Sequence, residues 1–136
     1  MTFSDFVIKY TGVKVDFDGC YGAQCVDLPR MCWKEVYNIK EHTGGCATSG
    51  GAKDLFLDYD KMPLEKKYFK KVTSNFKAGD ALVWSSTDKN PFGHTALFVG
   101  TFDGYLVVFE QDGYKQDGAK ITLRSKKNLL GALRVK

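Results

Sequence analysis

The chain has 136 residues, 43% apolar and 26% charged, with 20 Lys+Arg against 16 Asp+Glu and a formal net charge of +4. That length suits one compact domain over residues 1–136, able to bury roughly two-thirds of the surface its unfolded chain exposes, which excludes repeat arrays and makes disulfides or metal unnecessary for a core. The lysines fall in short pairs, Lys66–Lys67, Lys70–Lys71 and Lys126–Lys127, within ordinary periodic segments. A solvated charged face is expected of each, an anionic partner is favoured, and nucleic acid is not expected because no basic, aromatic-interleaved motif stands out.

No apolar run approaches the ~20 residues that span a bilayer, and Met1 to Asp5 lack the basic-then-apolar pattern of a signal peptide, so residence in a cytoplasm is expected. Four cysteines, Cys20, Cys25, Cys32 and Cys46, allow three pairings. In such a compartment they are expected as thiols, leaving room for a nucleophile.

Phe3, Phe6, Val7 and Tyr10 lie at helical spacing with Gly12 as a stop, predicting a short first helix over 3–10. The Gly- and Asp-rich stretch from Val15 to Gln24 reads as a structured loop. Cys25, Leu28, Cys32 and Val36 predict a helix from about Gln24 to Lys40. Pro29 requires that this helix either begin near Cys25 with a distortion or become regular only afterwards. Thr43 to Gly51 reads as a loop, and Ala52 to Tyr59 as a third helix. Beyond Pro63, short β-branched and aromatic runs at 68–73, 81–85, 94–101, 105–111, 121–123 and 130–135 predict strands. Helices first and antiparallel strands afterwards make an α+β domain, with N-terminal helices packed on a C-terminal sheet of about five or six strands.

Counting Asp16 as the first place of a loop puts Asp18 third, Cys20 fifth, Gly22 seventh and Asp27 twelfth, the ligand spacing of a calcium loop. Cys20 and Gly22 would offer carbonyls. Tyr21 at the sixth place and Asp at the twelfth depart from the pattern, and an acid-rich turn capping a helix is the competing reading. Cys25 lies at the start of the long helix, where backbone N–H groups and the dipole favour a thiolate; a small buried apolar role is the alternative.

Of two histidines, His42 sits in a loop and His94 opens a strand after Asn90-Pro91-Phe92-Gly93, which makes His94 the stronger partner base. Asp103-Gly104 marks a hairpin. A two-residue turn would set His94 opposite Gly113, away from Glu110 and Asp112. A three-residue loop with a bulge at Gly104 would set His94 opposite Asp112 and Ala96 opposite Glu110. Acids ending an exposed strand are the plain alternative for both carboxylates.

Asp16-Phe17-Asp18-Gly19-Cys20-Tyr21-Gly22-Ala23-Gln24-Cys25-Val26-Asp27-Leu28, Phe92-Gly93-His94-Thr95 and Glu110-Gln111-Asp112 together resemble the CHAP family of cysteine, histidine-dependent amidohydrolases/peptidases found in phage endolysins. The similarity extends over nearly the whole chain. It implies a papain-like fold and hydrolysis of an amide bond in bacterial peptidoglycan, as amidase or endopeptidase. By that resemblance Cys25 is the nucleophile, His94 the base and Glu110 the acid that orients the imidazole; Asp112 stands where many relatives have Asn. Gln24 joins the Cys25 N–H in an oxyanion hole. Asp16, Asp18 and Asp27, with the Cys20 and Gly22 carbonyls, match the calcium ligands of some relatives. Gly113 and Pro29 depart from the family pattern.

The implied partners are peptidoglycan, anionic wall polymers and a separate wall-binding subunit or domain, with the protein waiting in a host cytoplasm until lysis. A rival from another class is a non-catalytic, calcium-stabilised wall-binding or virion structural module of the same fold. Retention of nucleophile, base and acid together weighs against it. A zinc site from Cys20, Cys25, Cys32, Cys46 and His42 lacks close cysteine pairs.

Overall fold

The computed structural model describes residues 1–19, 22–45 and 48–136. In chain order the elements are α1 (Phe3–Tyr10), α2 (Asp27–Glu35), α3 (Asp54–Leu57), a 3-10 turn (Tyr59–Lys61), α4 (Pro63–Tyr68), β1 (Phe69–Val72), β2 (Ala81–Trp84), β3 (His94–Phe102), β4 (Tyr105–Glu110), β5 (Lys120–Arg124) and β6 (Leu129–Val135). This is the α+β arrangement expected, helices against one six-stranded antiparallel sheet of order β1-β6-β2-β3-β4-β5.

The first helix has its predicted bounds, because Thr2 and Asp5 close a reciprocal capping box and Phe6 anchors its buried face. The second is shorter than 24–40. Gln24 to Val26 stay outside it, which puts Pro29 third in the helix, where its missing N–H would have had no intrahelical partner. At the other end Asn38 turns left-handed at φ 58°, and Ile39 N–H returns to the Trp33 carbonyl at 3.0 Å. The helix predicted over 52–59 divides into α3 and the 3-10 turn. Pro63 begins α4, a helix too short to show periodicity in sequence, and delays the first strand to Phe69.

Strand alternation sorts the core into two clusters, one on each face of the sheet. Ala81, Val83, Leu97 and Phe109 meet Phe6, Leu28, Trp33 and Leu55 from the helices. Leu82, Trp84, Ala96, Phe98 and Val108 form the second cluster. His94 and Glu110 share the parity of this second set.

The β3–β4 hairpin chooses neither of the two simple registers. Asp103 and Gly104 are both left-handed, φ 51° and 79°, and close a two-residue turn that pairs Phe102 with Tyr105. The register then shifts between Phe98 and Gly100, so that Phe98 pairs with Val108 and Leu97 with Phe109. A bulge at Val99 thus restores the parity that a three-residue turn would have supplied. Without it, His94 and Glu110 would lie on opposite faces of the sheet.

Candidate active site

A cleft of about 460 Å³ separates the segment carrying Cys25 from the loop that leads into β3, and its walls include Gln24, Arg30, Phe92, His94 and Asp112. Two buried or half-buried glutamines hold the Cys25 segment from the sheet side. Gln111 accepts from Val15 N–H at 2.6 Å and donates to the Val15 and Gln24 carbonyls at 2.9 and 3.0 Å. Gln116 accepts from Ala23 N–H at 2.9 Å and donates to the Ala23 and Gly113 carbonyls at 3.1 and 2.7 Å. From the helix side, Asp27 accepts Gln24 N–H at 2.9 Å. Cys25 therefore stands just ahead of α2 with its chain neighbours fixed on both sides.

The opposite wall depends on close backbone contact. Gly93 has φ 74°, and a Cβ there would lie 2.4 Å from the Trp84 carbonyl and 2.8 Å from Lys53 Cβ, so no side chain fits. Lys53 N–H donates to Phe92 O at 3.0 Å, and the Asn90 amide donates to Gly93 O at 2.8 Å. The chain thus enters β3 at a fixed angle and delivers His94 beside Cys25.

His94 Nε2 lies 3.0 Å from Glu110 Oε1, with both side chains largely buried. The Trp84 ring lies 5.8 Å from the imidazole. Burial works against a charged ring here, but hydrogen bonds to Cys25 and Glu110 and the Cys25 charge outweigh it and the opposing charge of Arg124, holding the imidazolium up to about 9. Burial likewise opposes an ionised Glu110, and the His94 and Arg124 hydrogen bonds and charges overcome it, bringing that carboxyl down to about 2. Cys25, His94 and Glu110 thus form one connected series.

Arg124, which sequence reasoning did not single out, grips Glu110 with two nitrogens. Nε donates to Oε1 and Nη2 donates to Oε2 at 3.1 Å. Cross-strand register places Lys120, not Arg124, opposite Glu110, and Lys120 instead pairs with Asp117 at 2.7 Å. Arg124 is opposite Leu106 and reaches Glu110 along the sheet, so no sequence spacing signals the pair. The glutamine contacts to the segment from Val15 to Gln24 span 87 to 96 residues and carry no more signal in sequence spacing.

Asp112, expected beside the imidazole, lines the same cleft as His94 and also serves the turn beyond β4. Its Oδ1 accepts the N–H groups of Tyr114 and Lys115, at 2.8 and 3.4 Å, and its carbonyl accepts Gln116 N–H at 3.0 Å. Its side chain shapes the turn beyond β4, where an Asx-type bond competes well with a tertiary partner. Gln24 lines the cleft beside Gly113, where a Cβ would come within 2.9 Å of Gln24 Oε1. Among the described cysteines, Cys25 and Cys32 are unpaired thiols, and burial pushes Cys32 far up, so it is a core residue.

Asp16, Asp18 and Asp27 converge, each offering one oxygen within 4.8 Å of the others. That separation fits oxygens around one cation at bond lengths of ~2.3–2.6 Å. Asp27 Oδ1 is buried without a hydrogen bond. Burial pushes the Asp27 carboxyl up to about 6; the Gln24 N–H and the Arg30 charge pull the other way, while the charges of Asp18 and Asp16 add to the rise. Arg30 bridges the group, 3.2 Å from Asp18 and 3.7 Å from Asp27. The chemistry of these donors therefore fits a hard cation. Gly22 is left-handed at φ 71° and its carbonyl accepts Gln24 N–H at 3.1 Å; Cys20 lies outside the described residues.

The family model described as the CHAP domain matches residues 14–112. Among solved structures the chain is similar to the wild-type endolysin LysIME-EF1, with a TM-score of 0.69 and 22% identity over 98% of this chain and 64% of that one. It is similar also to Ly7917, with a TM-score of 0.63 and 16% identity over 99% of this chain and 63% of that one. Ly7917 with the hydrolysing product of MDP gives a TM-score of 0.63 and 17% identity over 98% and 61%. These likenesses establish the fold, and the chain spans less than two-thirds of the length of each of these structures.

Proposed function

The chain belongs to the CHAP family, and from that membership we propose that it is a peptidoglycan hydrolase cleaving an amide bond by a Cys25–His94 thiol mechanism. The observation that carries the reading is the cleft whose walls bring Cys25 and His94 together, with the His94 Nε2 held 3.0 Å from the Glu110 carboxylate. The endolysin LysIME-EF1 and the Ly7917 complex with the hydrolysing product of MDP direct the reading toward bacterial wall as substrate.

In this mechanism the Cys25 thiolate attacks the amide carbonyl and forms a C–S bond. The C–N bond then breaks as the His94 imidazolium gives its proton to the departing amine, leaving a thioester. His94, now neutral, takes a proton from water; the resulting attack on the thioester breaks the C–S bond and regenerates the thiolate–imidazolium pair. Gln24 and the Cys25 N–H are assigned to the developing oxyanion, where one donor is worth about 3 kcal/mol. Glu110 keeps the ring oriented and charged through Nε2, leaving Nδ1 for the sulfur and the amine.

Asp16, Asp18 and Asp27, with the Cys20 and Gly22 carbonyls, are the proposed calcium holders, and the part of that ion is to fix the loop presenting Cys25. Peptidoglycan is the proposed substrate, with anionic wall polymers attracted by the net charge of +4 and a wall-binding domain or subunit supplying further targeting. Action on the wall after residence in a host cytoplasm is part of the same reading. Among the described residues no helix is long and apolar enough to cross a membrane.

Cys25→Ala tests the proposal. Clearing of a wall suspension should be lost while circular dichroism and the melting temperature stay those of the parent, because Cys25 is outside the packed core. Retained clearing overturns the mechanism.

A further inference from the structure

The imidazole has an unusual neighbour behind its carboxylate. Arg124 occupies both oxygens of Glu110, and its Nε shares Oε1 with His94 Nε2. The guanidinium also lies over the Trp84 ring, 5.7 Å from its centroid, and the same ring lies against His94. Trp84 is itself fixed through its indole N–H, which donates to Ser125 O at 3.2 Å, one residue beyond Arg124. Four side chains from β2, β3, β4 and β5 thus form one closed packing unit. A second, polar cleft lies on this side of His94, so the far side of Arg124 meets solvent while Glu110 is covered.

Resting on the thiol-hydrolase reading above, we propose that Arg124 is a positioning residue that holds Glu110 in the orientation His94 needs and limits how tightly Glu110 retains the imidazolium proton. A bidentate fork fixes a carboxylate plane far better than a single donor does. Orientation follows from that geometry, since Glu110 has rotatable bonds and, among the described residues, its cationic partners are His94 and Arg124. Moderation follows from charge. Arg124 is a permanent cation sharing Oε1 with the ring, and its field opposes a second positive charge on His94. The reaction needs both properties, because His94 must first release its proton to the amine and then act as a base toward water.

Arg124→Gln and Arg124→Lys separate the two contributions. In Arg124→Gln, kcat for wall hydrolysis should fall at least tenfold and the alkaline limb of the pH profile should move to higher pH, because an unshared Glu110 holds the imidazolium longer. Arg124→Lys keeps the charge and loses the fork, so its alkaline limb should stay near that of the parent while kcat remains severalfold low. Melting curves and Trp fluorescence confirm the folded fraction to which rates are normalised. An unmoved limb in folded Arg124→Gln, or full kcat in Arg124→Lys, overturns the inference; should Arg124→Gln fail to fold, the lysine variant decides alone. Inactive Cys25→Ala alongside unaffected Arg124 variants would defeat only this inference, whereas active Cys25→Ala would defeat the thiol reading beneath it.

Discussion

Two arginine–carboxylate forks lie on the same sheet, one at Arg124–Glu110 and one at Arg134–Asp80. Arg134 holds Asp80 through Nε at 2.9 Å and Nη2 at 2.7 Å, and Asp80 also accepts Lys77 N–H at 2.8 Å. Arg134 reaches Asn75 O at 3.0 Å as well. Among the described residues the further hydrogen bonds of that fork go to backbone, and the two residues sit on the next rung beyond the Ala81–Leu133 pair. Glu110 instead shares its Oε1 with a ring that gains and loses a proton. The same ion pair is thus structural where its remaining contacts cannot titrate, and functional where one of them can.

The largest contrast should come from neutralising each acid. Glu110→Gln is expected to lower kcat by about 10²–10⁴-fold per folded molecule, since it removes the charge that orients and protonates His94, and to lower the melting temperature as well, since Glu110 is a buried, paired acid. Asp80→Asn should cost stability alone. Breaking a buried pair costs about 3–5 kcal/mol, so urea midpoints should fall while the rate per folded molecule stays unchanged. Equal catalytic losses in the two variants would erase the distinction.

The pH dependence sharpens it. His94 is raised to about 9 from an ordinary 6.5, so its stabilisation is fully present below 6.5 and is lost as pH rises through about 9. Glu110 is lowered to about 2 from 4.5, so its contribution is present above 4.5 and lost as pH falls through about 2. The alkaline limb of kcat/KM should accordingly fall near 9, and Glu110→Gln should bring it down toward 6.5. Asp80→Asn should leave it in place. Paired pH–rate profiles are the measurement.

The smallest expected effect concerns the acid trio. Calcium at a hundredfold excess over its Kd would add about 2.7 kcal/mol of stability, seen as a higher melting temperature that EDTA reverses. Asp18→Asn should reduce that increment and leave the alkaline limb alone. Identical melting curves with calcium and with EDTA would remove the ion from the proposal.

Local chemistry made much of this molecule legible. The first helix, the Asp103-Gly104 hairpin turn and the strand pattern beyond Val72 all depend on interactions within a few residues, and they appear where apolar spacing and turn residues placed them. The second helix was overextended because apolar spacing continues past the point where Asn38 reverses the chain. Fourth-helix residues Pro63 to Tyr68 form only six positions, too few for a period to emerge. Asp112, expected beside His94 on register and on the family resemblance, lines the cleft with His94 while its Oδ1 accepts the Tyr114 N–H of the following turn.

The amino-acid order by itself determined the α+β class, the sulfur, the imidazole and the carboxylates, since these depend on residue type and short spacing. Tertiary structure alone decided that the Val99 bulge would bring His94 and Glu110 to one face, that Gln111 and Gln116 would clamp the Cys25 segment, and that Arg124 rather than Lys120 would hold Glu110. The physical reason is that a one-residue shift in a ladder inverts side-chain parity, and a long arginine can bypass its cross-strand rung. Neither effect leaves a mark in local spacing.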